Sequence, residues 1–177
     1  MLGLTTTDDP TRRREADLLV RAWAAVGVRV TPRLVSASPS DAGALDAPYE
    51  RGGVLTTRHF DLALFDLRLG PDPAAVAALF DPDRTPTALS RGAARRNYTG
   101  IAVEALAMLP ETAQASLDPL SRRRGYARLQ AKVNAALPFI VLYDRPQVVV
   151  VSDRLGNLRP APQDGATLWN CWEWTRR

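Results

Sequence analysis

The chain has a single cysteine, Cys171, a single histidine, His59, and a single lysine, Lys132, among 177 residues. Each shortage closes off a class of chemistry. One cysteine excludes an intrachain disulfide and leaves the redox compartment unread. One histidine excludes a histidine-built metal site and any relay that needs two imidazoles. No run approaches 18 consecutive apolar residues, so no transmembrane helix is written into the sequence. The opening Met1-Leu2-Gly3-Leu4 passes straight into Thr5-Thr6-Thr7 without the regions of a signal peptide. If the parent protein is exported, this chain is expected to be a piece of it. No Gly-x-Ser-x-Gly nucleophile turn occurs, no P-loop occurs, and Gly52-Gly53 is not followed by a helix signal. Catalytic residues, metal ligands and cofactors are therefore all expected to be none, and no internal repeat or low-complexity segment is found.

What remains is the composition of an ordinary globular chain, 46% hydrophobic and 24% charged. A chain of this length can bury roughly 70% of its unfolded surface without staples. The net charge of +4 is almost wholly arginine. Arginine suits bidentate anion recognition, but together with the heavy alanine content it fits a GC-rich coding sequence better than a nucleic-acid surface.

The stretch from Phe60 to Pro73 organises the rest. Phe60, Leu62 and Leu64 alternate with Ala63, Phe65 and Leu67, so both faces are expected to be covered, as in the central strand of an α/β layer. It ends in Gly70-Pro71-Asp72-Pro73, where Asp72 can cap and Pro73 can open a helix to Phe80. That leaves a loop, Asp66 to Asp72, at the strand's carboxyl end, where ligands bind in open α/β sheets.

The other elements support that loop. Leu2 to Thr6 reads as a strand and Asp8-Asp9-Pro10 as a cap. The following helix, to about Val26, has Ala16, Leu19, Val20, Trp23 and Val26 on one buried face. Gly27 ends it, and Val28 to Thr31 resumes as a strand, giving a parallel pair with a right-handed crossover. Pro32 marks that strand's end or an edge. Ser36 to Gly53 is a surface loop, with room for one short helical turn. Asp81 to Pro86 is irregular, and Asn97-Tyr98-Thr99-Gly100 is a second loop, before a helix from Ile101 to about Met108. Asp118-Pro119 caps a helix striped by Tyr126, Leu129, Val133 and Leu137, which Pro138 stops. Phe139–Tyr143 and Val148–Ser152 then read as a hairpin.

Several side chains invite a functional reading and mostly yield a plainer one. Asp61 and Asp66 lie five apart on a strand, so they face opposite ways and cannot act as a carboxylate pair. Arg12-Arg13-Arg14 and Arg122-Arg123-Arg124 sit in early helical turns, where the macrodipole disfavours them, and read as solvated faces. Cys171 reads as a packed thiol. Trp169, Trp172 and Trp174 need cover from this domain or from another one. If the tail is extended, Trp172 and Trp174 share a face.

The order of these pieces resembles the carboxyl-terminal lobe of family 5 extracellular solute-binding proteins, the peptide-, dipeptide- and nickel-type receptors of ABC importers. The likeness is carried by Thr5-Thr6-Thr7 leading into a helix that ends Trp23-Ala24-Ala25-Val26-Gly27-Val28-Arg29-Val30. It continues through Phe60-Asp61-Leu62-Ala63-Leu64 to Asp72-Pro73, and through Asn97-Tyr98-Thr99-Gly100. Asp118, Arg122, Tyr126 and Gln130 at four-residue steps, then Leu137 to Tyr143 and finally Trp169-Asn170, complete it.

The resemblance implies an α/β fold of type II periplasmic-binding-protein kind, a mixed sheet flanked by helices. Residues 1–160 would form the carboxyl-terminal solute-binding lobe, and residues 161–177 a tail returning to a missing amino-terminal lobe. It implies a non-enzymatic substrate-binding component that holds a small-molecule or peptide solute between two lobes. The further partner is the membrane permease of an ABC transporter, and no nucleic acid is involved. Location would be extracellular or periplasmic, with the full-length protein a membrane-anchored lipoprotein. The ligand-binding candidates are Asp66, Leu67, Arg68, Leu69 and Gly70, with Asn97 and Tyr98.

One departure matters. In peptide-binding members an acid four residues before the Asp-Pro proline pairs with the peptide ammonium, and here that position is Leu69. Burying an ammonium without its carboxylate costs several kcal/mol. Arg68 would instead favour a carboxylate or other anionic group. Two other classes stay open: an arginine-rich nucleic-acid or partner-binding module, and a small α/β enzyme using Asp66 and His59.

Overall fold

The computed structural model describes residues 1–67, 79–90, 95–101, 116–144, 148–161 and 168–177. The chain begins with strand β1 (Leu2–Thr7), helix α1 (Pro10–Ala25) and strand β2 (Val30–Val35). β1 and β2 pair in parallel, from Leu2 opposite Val30 to Thr7 opposite Val35.

Local chemistry sets the ends of α1. The Asp9 carboxylate accepts from the amides of Thr11 (3.1 Å) and Arg12 (3.0 Å), and Pro10 occupies the first helical position. At the other end Gly27 adopts φ +84°, a left-handed conformation that costs glycine least. Val26 is the helix's carboxyl cap and is 75% exposed, so the buried stripe stops at Trp23, one turn earlier than its spacing suggests. Pro32 lies inside β2, which is an edge strand among the described residues, where its missing amide goes unneeded.

A loop follows, with a 3-10 turn at Tyr49–Arg51, and then one helical turn, α2 (Val54–Thr57). Gly53 caps that turn, contrary to the sequence reading of Gly52-Gly53. A Cβ on Gly53 would stand 1.9 Å from the Ala47 carbonyl oxygen, so glycine is required there by contact.

Strand β3 (Leu62–Ala63) pairs in parallel with β1, and the Leu64 amide donates to Thr5 O at 2.9 Å just beyond it. The three-stranded order is β2-β1-β3. β1, not the segment after Phe60, is thus the central strand among the described residues. The expectation that both sides of this segment are covered holds. Leu62 and Leu64 pack into a core with Leu4, Ala16, Val30 and Trp23, whereas Ala63 and Phe65 pack against Leu45, Val54 and Leu55. Phe60 precedes the strand and packs with the second group, away from Leu62. Leu67 reaches a third cluster formed by Leu79, Phe80 and Leu129.

The expected helix from Pro73 lies outside the described residues up to its last two positions, and the one from Ile101 lies outside them beyond Ile101 itself. A 3-10 turn at Pro82–Arg84 precedes the Asn97–Gly100 loop. Helix α3 (Pro119–Ala136) is capped by the Asp118 carboxylate, which accepts from the amides of Leu120 and Ser121. Of its stripe, Leu129 is buried and Tyr126 and Val133 pack beside it, but Leu137 is exposed in a left-handed cap.

The expected hairpin does not form in the described residues. Phe139–Tyr143 and Val148–Ser152 carry no strand assignment, and Val150 is 92% exposed. Their β-branched side chains favour a pleated surface only where a neighbour covers it. Beyond them β4 (Leu155–Gly156) pairs antiparallel with β5 (Thr175–Arg176). Between these strands a 3-10 turn, Cys171–Glu173, replaces the extended tail and separates Trp172 from Trp174. Cys171 is exposed and not a packed thiol. No helix among the described residues is long and apolar enough to cross a membrane. These residues form a small mixed α/β unit with a parallel three-stranded sheet and helices.

Candidate functional site

The parallel pairing of β1 and β3 brings their carboxyl ends together. β1 ends at Thr7 and the chain turns at once into α1, while the chain leaves β3 through Leu64 toward Asp66. The first turn of α1 and the exit of β3 therefore share one edge, the edge at which open α/β sheets hold ligands.

Arg12 sits at the middle of that edge. Its side chain is 7% exposed and forms ion pairs with Glu15, at 2.5 Å, and with Asp66. Burial opposes its charge most strongly, but hydrogen bonds to Asp66 and Glu15 outweigh that and raise its pKa. The Tyr143 hydroxyl donates to Glu15, tying the segment after α3 to the same group. Thr7 donates its hydroxyl to Asp9 at 2.7 Å, and Arg13 pairs with Asp8 at 2.5 Å in solvent. Asp9 is held below the usual carboxylate range, first by the Arg12 amide and then by the Thr7 hydroxyl.

The arginine triplet thus divides. Arg13 and Arg14 face water as expected, but Arg12 does not. A signal for this was present: Arg12 lies four residues before Ala16, on the same helix face as the apolar stripe. Reading the stripe one turn back would have placed Arg12 on the sheet. Glu15, three residues on, was its available counterion.

The sequence candidates have different fates. Asp66 stands on this edge with its side chain 60% exposed. Leu67 is half-buried in the third cluster. Arg68, Leu69 and Gly70 lie outside the described residues. Tyr98 is half-buried, its ring meeting Phe65 edge-on at 5.9 Å, and burial pushes its hydroxyl pKa up. This contact brings the Asn97–Gly100 loop beside the exit of β3. Asn97, however, is fully buried and committed to the fold. Its amide donates to the carbonyls of Asp81 and Ile101, both at 3.0 Å, and its oxygen accepts from the Thr99 hydroxyl at 3.1 Å. Asn170 is a second such residue, bonded to Asn157 O and Arg159 N and accepting from the Trp174 indole.

The residues offered for catalysis do not assemble. His59 is exposed and makes no side-chain hydrogen bond among the described residues. Asp61 accepts from the Gly3 amide at 2.8 Å, at the opposite end of β1 from Asp66. No cluster of three metal-ligating side chains occurs among the described residues.

A separate hollow of about 490 Å³ lies between α3 and the segment 139–141, lined mainly by Tyr126, Leu129, Val133, Phe139 and Ile140. Phe139 stands between it and the β3 exit, its ring meeting those of Phe65 and Phe80 edge-on with centroids 6.2 Å and 6.0 Å apart. Comparison with protein-family models, with curated proteins and with solved structures finds no match.

Proposed function

We propose that this chain is a solute-binding lobe of the type II periplasmic-binding kind. It would serve the substrate-binding component of an ABC importer, with Asp66, Tyr98 and the turn from Thr7 to Arg12 along one wall of an interlobe cleft. The observation that carries this reading is the convergence of the β1 and β3 carboxyl ends, with Arg12 and Asp66 joined across them. A rim of polar side chains over apolar walls is what a small-solute site needs. The hinge closure that such receptors use would supply the opposing wall.

The uncovered apolar surface supports the same reading. Val141, Val148, Val150 and Trp172 are exposed on segments whose residues favour pairing and packing. A second lobe would cover them, and the permease would meet the assembled pair. Leu69, where peptide receptors carry an acid, argues against an amino-terminal ammonium as the anchored group.

Calorimetry of the chain with di- to pentapeptides and small organic acids tests the proposal. One wall alone gives no heat of binding at micromolar concentrations, and only weak association at millimolar ones. Micromolar affinity for an oligopeptide, or turnover that disappears when Asp66 and His59 are both replaced by alanine, would contradict it.

A further inference from the structure

Helix α3 carries charge of one sign only. Its 18 residues include Arg122, Arg123, Arg124, Arg128 and Lys132 and no aspartate or glutamate. Arg122 is half-buried, its guanidinium 5.8 Å from the centre of the Tyr126 ring. The other four are exposed, and none of them forms an ion pair among the described residues. Arg124, Arg128 and Lys132 follow at four-residue steps, about 6 Å apart along the axis. Like charges at that spacing repel. The acid just before the helix, Asp118, spends its carboxylate on the amides of Leu120 and Ser121 and on the Ser121 hydroxyl.

The cations stand away from the core. α3 turns Leu129, Tyr126 and Val133 toward Leu79 and Phe80, and helical spacing puts Leu120, Arg124 and Arg128 on the opposite side. Leu120 is 53% exposed there, and Leu117, one residue before the cap, is 99% exposed. Ala127, Ala131 and Ala135 lie exposed between the cations and are too short to hold a flat surface off.

We propose that the outer face of α3 docks on an anionic lipid bilayer. Arg123, Arg124, Arg128 and Lys132 meet the headgroup phosphates, and Leu117 and Leu120 enter the boundary with the acyl chains. The leucines choose between polyanions, since a nucleic-acid backbone offers them nothing while a bilayer takes up both the charge and the apolar side chains. The contact is reversible, because the helix's own apolar stripe is already spent in the core. It does not rest on the crevice reading, which concerns the carboxyl edge of the sheet.

Co-sedimentation of the full chain with vesicles of phosphatidylglycerol and phosphatidylcholine in equal parts, against phosphatidylcholine alone, tests the proposal. Binding to the anionic vesicles only, lost by about 0.5 M sodium chloride, is the expected result. Each cation contributes about fivefold to the partition coefficient, so Arg124→Gln, Arg128→Gln and Lys132→Gln together weaken binding about a hundredfold. Arg124→Lys with Arg128→Lys, which keeps the charge, binds as the parent does. Leu117→Ser with Leu120→Ser lowers partitioning about tenfold. Arg14→Gln, Arg21→Gln and Arg29→Gln together remove the same charge elsewhere and change it by less than about twofold. No binding to anionic vesicles at low salt, or an equal loss in that control, overturns the proposal. Duplex DNA bound in preference to vesicles, with the leucine variant unaffected, would assign the face to nucleic acid and overturn it too.

Discussion

Replacing Asn97 by alanine separates a structural role from a ligand-binding one. The side chain is fully buried and holds three partners: the carbonyls of Asp81 and Ile101 and the hydroxyl of Thr99. Each hydrogen bond is worth about 1 kcal/mol net, and a carbonyl left without its donor costs about 1–3 kcal/mol. Asp81 and Ile101 are only half-buried, so water can replace part of what is lost and the lower end applies. Asn97→Ala is therefore expected to cost about 2 kcal/mol. With a urea m-value of roughly 1–3 kcal/mol/M, the unfolding midpoint falls by about 1 M. Asn97→Asp keeps the acceptor for Thr99 but turns a negative charge toward two carbonyl oxygens, so it falls at least as far. Tyr98→Phe is the control. The Tyr98 hydroxyl makes no hydrogen bond among the described residues, and its loss changes stability by less than about 0.5 kcal/mol. If Asn97→Ala were equally silent in urea, the placement of Asn97 as a pin of the fold would be wrong.

Three further outcomes follow from the same geometry. Arg12→Met removes the buried guanidinium that pairs with the half-buried Glu15 and costs about 3 kcal/mol in urea unfolding, whereas Asp66→Asn, at an exposed partner, costs less than about 1 kcal/mol; the reverse order would refute the division of roles. Gly53→Ala puts a methyl group against the Ala47 carbonyl and lowers Tm by more than Gly27→Ala, which meets open space and bears only the strain of a left-handed backbone. Asp9 has a folded pKa depressed below its unfolded value, so its cap contributes fully above about pH 4 and is lost as pH falls below that, through the folded pKa. Asp9→Asn, an equally good cap, should match the parent at pH 7 and lose less stability in thermal melts between about pH 4 and pH 2.

Local devices were the legible part of this fold. Asp9-Pro10 and Asp118-Pro119 name two helix starts because capping is decided within four residues, and Gly27 names an end for the same reason. The parallel pairing of β1 and β2 followed from a strand, a helix and a strand in succession. Long-range choices were not legible. The central place of β1 depends on β3, which pairs with it over only two residues some 58 positions away. Periodicity gave Ala16, Leu19, Val20 and Trp23 of α1's buried face, wrongly added the exposed Val26, and did not assign Arg12 to it, since a buried arginine needs counterions and one of them, Asp66, comes from a different segment. The valines from Val148 to Val151 illustrate the converse. Strand propensity states what a segment would do beside a partner, and in this chain that surface stays open.

Amide chemical-shift mapping with millimolar dipeptides and short carboxylates tests the account most directly. Saturable shifts at Thr7 to Arg12, at Leu64 to Leu67 and at Tyr98 are the predicted result, because those positions share the carboxyl edge of the sheet. Shifts confined to Leu129, Val133 and Phe139, around the hollow beside α3, would contradict it.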